Sequence, residues 1–210
     1  MTQLPKVAII CANYNYSDYI VAAMDSIVNQ TYKGEIRLYV VDDGSTDDWA
    51  DIIGVLDADD AYHPEKVEKL VSKLVEHDEV GVAYADYTNV FPDYNKREFK
   101  NSFSLLGLQK QCMVHSNALI KKEYLEKVRL PDGEFYRSSL HGPASQGFIG
   151  CTEDYDLWLR LSQYCMFCHI PENLGTANQH GRNQSMKMTT QIFQENAKIM
   201  TGAINDQKRH

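Results

Sequence analysis

The sequence has no long hydrophobic run and no excess of basic residues. The longest uninterrupted apolar stretch, Val7–Ala12, is far shorter than the roughly 20 residues that cross a bilayer, and no secretion signal precedes it. The formal net charge is −8, and the basic residues are scattered rather than arranged in a stripe that could follow a phosphate backbone. We therefore expect a soluble, cytoplasmic protein that has no transmembrane segment and binds no nucleic acid. Association with a membrane surface and the oligomeric state stay open.

Cysteines are few and odd in number, five in all, and they lack the spacing of a disulfide framework. Such usage is typical of a reducing compartment with free thiols. Cys165 and Cys168 have C-x-x-C spacing, yet a zinc site needs a second pair of ligands, and His169 alone does not complete one. We favour free thiols over a metal or redox site.

The chain does contain a regular alternation of strand and helix patterns. Its 210 residues, 43% of them hydrophobic, suffice for a substantial core. Short β-branched runs, typical of strands covered on both faces, lie at residues 6–12, 35–41, 53–56 and 81–85. Helical spacing of apolar residues follows the first run and again follows Pro64. This order predicts an α/β fold with a Rossmann-like, mostly parallel sheet flanked by helices.

The second half of the chain is less regular. Polarity rises after residue 90, and turn formers are frequent. The remaining patterns predict one strand and three helices, at 113–120, 122–128, 156–163 and 190–203. No repeat or low-complexity linker divides the chain, so we expect a single domain over residues 1–210.

One predicted connection is short for a parallel sheet. Only nine residues, Gly44–Ile52, separate the second and third strands, whereas a parallel crossover usually needs at least about 10–12. We interpret this spacing as a missing segment, either deleted or left out of the numbering.

An acidic cluster follows the third predicted strand. Asp57, Asp59 and Asp60 place three carboxylates on one corner, and they repel one another unless a cation or protonation relieves them. A divalent ion held by one or two of these oxygens keeps positions open for diphosphate oxygens. The alternative is an acidic turn that caps the helix after Pro64.

A second cluster, Asp42–Asp47, follows the second predicted strand. A base such as uracil offers an N–H that an aspartate accepts, and Tyr14, after the first strand, offers a flat face for stacking. The alternative is a turn whose side chains bond their own backbone.

Three segments, in this order and at strand ends, closely resemble glycosyltransferase family two, the inverting enzymes of GT-A fold. They are Val7–Asn15, Val40–Asp47 and Leu56–Pro64, the last with an Asp-x-Asp motif. The resemblance is strong from residue 5 to about 90 and looser over 112–185. It implies a nucleotide diphosphate-sugar donor, with UDP favoured, a divalent cation (Mn²⁺ or Mg²⁺), and a saccharide or lipid-linked acceptor in cell-surface polysaccharide synthesis. It also implies a nucleotide-sugar-binding half over 1–90 and an acceptor-side half with a C-terminal helix over 91–210.

The resemblance assigns donor-site residues as well. It implies that Asp43 pairs with the base, that Tyr14 stacks on it, that Asp57 lies toward the ribose and that Asp59 binds the metal. The full donor-binding set that it implies is Ala12, Tyr14, Asp42, Asp43, Asp57 and Asp59.

Two later segments complete the assignment. Glu153-Asp154 resembles the family's Glu-Asp element, which implies Asp154 as the general base; the alternative is an ordinary acidic helix start. His180 begins a segment that resembles the family's closing His-Ser segment and is implied as a second metal ligand; the alternative is a structural histidine. Gln179 stands where the family usually has arginine, and Arg182 could substitute for it.

Two other functions remain alternatives. Family members usually carry a crossover with basic and amide groups where this chain is short, so a catalytically impaired nucleotide-sugar-binding subunit is one alternative. A nucleotidyltransferase is the other, although it needs a basic glycine-rich phosphate loop, and residues 12–18 contain neither lysine nor glycine.

Overall fold

A computed structural model describes residues 3–12, 18–41, 50–136 and 153–180. The strands in these ranges are β1 (Val7–Ala12), β2 (Ile36–Val41), β3 (Ile52–Asp57), β4 (Asp60–Tyr62), β5 (Val80–Val90), β6 (Asn95–Glu98), β7 (Leu119–Lys121) and β8 (Met166–Asn178). The helices are α1 (Ile20–Val28), α2 (Lys66–Glu76), α3 (Leu105–Leu108), α4 (Lys122–Lys127) and α5 (Glu153–Leu161). None of these helices has the length and apolarity that crossing a membrane requires.

The strands form one sheet in the order β2-β1-β3-β7-β5-β8-β4, with β6 paired to β5. β1 is parallel to both β2 and β3, and β5 is parallel to β8. β7 runs antiparallel between β3 and β5, so β3 and β5 share one direction. The predicted mostly parallel α/β sheet is therefore confirmed. The carboxyl ends of β1, β2, β3, β5 and β8 point to the same edge.

Helices cover both faces of the sheet, and each face has its own apolar cluster. α1 and α2 pack on one side through residues such as Ile27 and Leu70, and α4 and α5 pack on the other, where Trp158 is fully buried. Adjacent residues Leu119 and Ile120 of β7 enter opposite clusters, because side chains alternate across a strand. Each such buried side chain contributes about 1.5–3 kcal/mol relative to an exposed one.

Gly54, in the middle of β3, allows the central strands to pack closely. A Cβ atom there would lie 2.5 Å from Leu119 Cδ2 and 2.7 Å from Ile9 Cδ1, closer than two carbon atoms can approach. The side chains of Leu119 and Ile9 therefore occupy the space that a side chain at Gly54 would need.

The short connection between β2 and β3 is compatible with this sheet. β2 ends beside Ala12 and β3 begins beside Val7, at the opposite edge. The chain must cover about 20 Å along the strands and about 10 Å across them, and the ten residues 42–51 reach up to about 33–36 Å when extended. The short spacing thus does not by itself require a missing segment, and that interpretation stays a prediction.

Several predicted element boundaries were wrong. The strand predicted over 113–120 begins only at Leu119, because the residues before it form a turn in which Ala118 N donates to His115 O. The fourth predicted strand continues from Ala85 to Val90. The capping alternative for Asp60 was also wrong, because Asp60 lies in β4 and α2 begins at Lys66.

Two further differences concern the second half of the chain. α5 begins at Glu153, three residues earlier than predicted, so Asp154 lies in its first turn. β8 was not predicted, since it alternates polar and apolar residues irregularly and contains Pro171. The predicted helix at 190–203 lies outside the described residues. Among the residues described, Cys11, Cys112, Cys165 and Cys168 are free thiols.

α5 is fixed to the rest of the protein by a buried arginine. Arg160 Nε donates to Asp156 Oδ2 at 2.8 Å, and its other two nitrogens donate to the carbonyl oxygens of Val128 and Phe135, each at 2.6 Å. Arg160 is 7% exposed and Asp156 3%. Because α5 carries Glu153 and Asp154, this network sets where that acidic pair lies.

We predict that Arg160→Leu lowers the free energy of unfolding by about 3–5 kcal/mol, because the buried Asp156 carboxylate loses its guanidinium partner. Urea denaturation followed by circular dichroism measures the change. Arg37→Leu, which removes an exposed arginine paired with Glu35, is the control and should change the midpoint far less. Equal midpoints for the two variants would show that the Arg160 network does not stabilise the fold.

Candidate active site

The carboxyl edge of β1, β2 and β3 forms the base of the candidate site. In the sheet register Ala12 lies opposite both Val41 and Asp57. Asp57 is the last residue of β3, and the chain turns there so that Asp59 and Asp60 lie at the same corner, 7% and 5% exposed. The predicted position of the acidic cluster at a strand end is therefore what the structure has.

β8 brings a second part of the chain to this corner. β4 and β8 are antiparallel, with Asp60 opposite Ala177. Asn178 N donates to Asp60 Oδ1 at 3.3 Å, and the Asn178 side-chain amide donates to the Asp59 carbonyl oxygen. The end of β8 therefore fixes both the backbone of Asp59 and the side chain of the neighbouring Asp60.

His180 lies directly against Asp59. Its Nε2 atom is 2.9 Å from Asp59 Oδ2, and the two side chains are 11% and 8% exposed. Tyr19, just before α1, stacks on the His180 ring with centroids 4.8 Å apart. The two residues that the sequence marked as metal ligands are therefore in contact.

Asp59 and His180 fit a divalent cation of the kind that binds phosphates. Their 2.9 Å separation matches the roughly 3 Å between adjacent ligands of an octahedral ion with bonds of about 2.1 Å. In the part of the chain that the structure describes, no group of three or more His, Cys, Asp or Glu side chains could hold a metal. An ion that is bound by one or two protein groups keeps most of its positions for phosphate and water.

Asp57 is crowded by other carboxylates. One side of the Asp57 side chain is exposed to solvent, whereas protein atoms on its other sides exclude water. This burial, together with the charge of Asp59, raises the pKa of Asp57 to about 6. Ser116 Oγ donates to Asp57 Oδ2 at 3.1 Å and acts in the opposite direction. Asp57 therefore accepts a hydrogen bond from Ser116, and its protonation near neutral pH depends on which charged group binds beside it.

Asp60 and Lys66 lie beneath the corner. Burial and then the charges of Asp57 and Asp59 raise the pKa of Asp60 well above its usual value. Lys66, 2% exposed, has its pKa lowered to about 7 by burial, while Asp60 acts in the other direction. Its Nζ atom lies 3.9 Å from the centroid of the Tyr62 ring.

Asp154, in the first turn of α5, lies close enough to this corner for the charge of Asp57 to act on it. Its Oδ1 accepts from Tyr155 N at 2.7 Å. Burial, followed by the charge of Glu153, raises the pKa of Asp154 to about 7, and Asp57 contributes in the same direction. A carboxyl group with a pKa near neutrality can accept a proton at physiological pH. Asp154 lies in the first turn of α5, and this position is equally compatible with the alternative of an ordinary acidic helix start.

Sequence reasoning missed the polar residues that support the acidic corner. Ser116 and Asn178 lie outside any recognised motif, and no local signal shows that they reach Asp57, Asp59 and Asp60. Lys66 follows Pro64 on a helix whose pattern is amphipathic, so the sequence favours an exposed lysine there. Only the fold reveals that it is buried.

Part of the predicted donor set is not tested. Tyr14, Asp42 and Asp43 lie outside the described residues, so their roles stay predictions. Ala12 is described and lies at the edge beside Asp57.

Comparison with known proteins connects this geometry to a family. A family model described as Glycosyl transferase family 2 matches residues 8–53 and 49–129, more than half of the chain. The two matched stretches meet at 49–53, beside the short connection. Chondroitin synthase of Pasteurella multocida is 22% identical over 249 aligned residues, which cover 98% of this chain and 24% of that protein. The chain spans 22% to 36% of the length of the first curated relatives.

Solved structures show the same fold. S. aureus TarS 1-349 in complex with UDP-GlcNAc superposes with a TM-score of 0.62 at 11% identity, covering 88% of this chain and 62% of the TarS 1-349 chain. The mannosyltransferase PcManGT from Pyrobaculum calidifontis, in complex with GDP-Man and Mn²⁺, gives 0.54 at 14% identity, with 89% and 60% covered. The predicted GT-A fold is thereby confirmed.

We predict that the free energy of unfolding depends on pH through Asp154. Its pKa is raised from 3.8 to about 7 in the folded protein, so the folded state keeps a proton that the unfolded chain has already released. This contribution is fully present below pH 3.8 and is lost as the pH rises to about 7. Asp154→Asn should flatten the decline, measured by urea denaturation at several pH values. Asp78→Asn, at an exposed position, is the control, and a parent-like slope in Asp154→Asn would contradict the assignment.

Proposed function

The chain belongs to glycosyltransferase family 2, and from this premise we propose that it transfers a sugar from a nucleotide diphosphate-sugar to a saccharide or lipid-linked acceptor with inversion. The proposed setting is the synthesis of a cell-surface polysaccharide, with UDP as the favoured nucleotide. The observation that carries the proposal is the meeting of Asp57, Asp59 and His180 at one sheet edge, with Asp154 near enough to Asp57 for the charges of these two residues to interact. The division into halves at 1–90 and 91–210 and the cytoplasmic location stay predictions.

Related proteins support the class of donor and acceptor. The relative from Pasteurella multocida is named as a chondroitin synthase, and the two structural neighbours hold UDP-GlcNAc and GDP-Man. A nucleotide diphosphate-sugar is common to both neighbours. We extend that donor class to this chain, while the sugar remains unspecified.

On the donor side, Asp59 and His180 are the residues that would hold a divalent cation. When bound, such a cation neutralises charge that develops on the leaving nucleotide diphosphate. We assign Asp57, which accepts a hydrogen bond from Ser116 Oγ, to the nucleotide's ribose, where it would accept a hydrogen bond from a ribose hydroxyl. We assign the base to the residues that follow β1 and β2, with Tyr14 stacking and Asp43 accepting the base N–H.

On the acceptor side, Asp154 is the proposed general base. The acceptor oxygen forms a bond to the anomeric carbon as the bond from that carbon to the phosphate oxygen breaks. The electron pair leaves with the nucleotide diphosphate, and the acceptor proton goes to Asp154. One displacement of this kind inverts the anomeric centre, and no protein nucleophile is needed.

One observation favours a second candidate function, a nucleotide-sugar-binding subunit with impaired catalysis. β2 and β3 are joined by only ten residues, 42–51, where the family usually has a longer element facing the donor. Such a subunit would bind the donor without acceptor-dependent release of nucleotide. Release of UDP on addition of an acceptor therefore decides between the two functions.

We predict that Asp59→Asn abolishes the Mn²⁺-dependent binding of UDP, because the variant loses the charged ligand and only His180 remains to hold the ion. The affinity for UDP without metal should change little. Isothermal titration calorimetry of UDP with MnCl₂ and with a chelator measures both. Asp78→Asn serves as the charge-matched control. Unchanged affinity in Asp59→Asn, with metal and chelator giving equal values, would refute metal binding at this corner.

We predict a different phenotype for Asp154→Asn. A base acts only on the acceptor, so donor and metal affinity should stay nearly unchanged, while transfer falls by roughly 10²–10⁴. In the parent protein, transfer should rise with pH through about 7, since the base must be deprotonated. Glu153→Gln is the matched variant, and it should retain more activity than Asp154→Asn. Transfer at the parent rate, or joint loss of donor binding and turnover, would mean that Asp154 belongs only to a helix start.

A further inference from the structure

Lys100 is a cation whose charge acts on the proposed base, Asp154. Its backbone N–H donates to Asp86 Oδ1 at 2.8 Å. Asp86 is 3% exposed and is itself fixed by Arg97 Nη2 at 3.1 Å and His169 Nε2 at 2.9 Å. The chain after β6 is therefore anchored to a buried carboxylate at the point where the Lys100 side chain emerges.

The ammonium group of Lys100 rests on an aromatic pair. Its Nζ atom lies 5.2 Å from the centroid of the Tyr87 ring, and that ring packs against His115 with centroids 4.1 Å apart. Lys100, Tyr87 and His115 are each partly exposed. Within the described ranges no carboxylate forms an ion pair with Lys100, which makes its charge accessible to a ligand.

His115 adds a neutral hydrogen-bond donor to this group. Its Nδ1 atom accepts from Asn117 N at 3.3 Å, so the ring proton lies on Nε2. Burial, followed by the charges of Lys100 and Lys66, lowers the pKa of His115 to about 3. The ring therefore stays neutral at physiological pH and cannot accept through the nitrogen that is already used.

The position of Lys100 relative to Asp154 decides which ligand it meets. Its charge acts on Asp154 and on Cys112, while Asp60 acts on Tyr87 and Lys66 acts on His115. Lys100 is therefore close enough to the proposed base to meet an acceptor that binds there, and its aromatic partners are also close to the acidic corner.

The carboxylates around Lys100 make its positive charge relevant to the charge of the acceptor. Glu153, Asp154 and Asp57 all interact there, and the whole chain has a formal charge of −8. A neutral saccharide needs no positive charge to approach these carboxylates, but an anionic one is repelled unless a cation compensates. Lys100 provides that compensation beside an aromatic surface.

We propose that Lys100, Tyr87 and His115 form an anion-binding subsite for the acceptor, so that the acceptor is a saccharide carrying a carboxylate or phosphate group close to the hydroxyl that reacts. This inference rests on the proposed function, because Asp154 defines where the acceptor enters. The carboxylate or phosphate pairs with the Lys100 ammonium and accepts from the His115 Nε2–H, while the sugar ring lies along Tyr87.

The test is binding, so that it does not depend on turnover. The full chain with UDP and MnCl₂ is titrated with methyl β-glucuronide, methyl β-glucoside 6-phosphate and the neutral methyl β-glucoside, followed by NMR. At low salt at least one anionic glycoside should bind about fivefold to tenfold more tightly than the neutral one, and added salt should reduce the difference. The tighter of the two anionic glycosides identifies carboxylate or phosphate as the recognised group.

Variants show whether the preference comes from Lys100. Lys100→Gln should bring the ratio of anionic to neutral affinity close to one, Lys100→Arg should keep most of it, and the control Lys96→Gln, an exposed lysine on β6 that pairs with Glu98, should keep all of it. Equal binding of neutral and anionic glycosides, no detectable binding of any, or a preference that survives Lys100→Gln overturns the proposal.

The same samples separate this inference from the proposed function. UDP release from UDP-sugars is followed with each glycoside added. A chain that prefers anionic glycosides through Lys100 but releases no nucleotide contradicts sugar transfer and supports the subsite. A chain that transfers sugar to the neutral glycoside as readily as to the anionic ones, with equal binding, supports transfer and overturns the subsite.

Discussion

Repulsion among carboxylates at one edge of the sheet is the constraint on which the rest of this structure depends. Asp57, Asp59 and Asp60 lie within four residues, and Glu153 and Asp154 add to their field. Carboxylates this close cannot all stay charged unless donors or cations compensate. Burial first, and then the charges of neighbouring carboxylates, raise the pKa of Asp57 to about 6 and that of Asp154 to about 7. The surrounding fold can be understood as the set of contacts that holds these groups together in spite of their repulsion.

Those contacts come from distant parts of the chain. β8 supplies Asn178 and leads to His180, which bond to Asp60 and Asp59 across 118 and 121 residues of sequence. Ser116, from the turn before β7, reaches Asp57 across 59 residues. Because β8 is parallel to β5 and antiparallel to β4, the site is complete only when the last described strand has joined the sheet. A site of this construction depends on cooperative folding of the whole sheet rather than on one local motif.

The distinction between local and distant contacts also explains what could be predicted from sequence. β1 and the end of β3 at Asp57 follow from apolar runs that stop at acidic residues, so local pattern was sufficient. β8 could not be predicted, because its residues alternate irregularly and its pairing partners are far away in sequence. The capping role considered for Asp60 failed because β4, only three residues long, forms through pairing with β8 and carries no signal of its own. His180 was recognised by motif, but its contact with Asp59 required the fold.

The buried amine beneath the corner does not remove the excess negative charge. Lys66 has a pKa lowered to about 7, chiefly by burial, and Asp60 has one raised well above its usual value. Burial is the main cause of both shifts, so it disfavours the charged form of each group, and Lys66 is a weak source of positive charge for the corner. Relief for Asp57 and Asp59 must come from the accessible side, where His180 already contacts Asp59 at 2.9 Å. Because the buried lysine is disfavoured in its charged form, a cation that arrives from solvent is the effective source of positive charge for Asp57 and Asp59, and Asp57 is exposed at the edge where the parallel strands end.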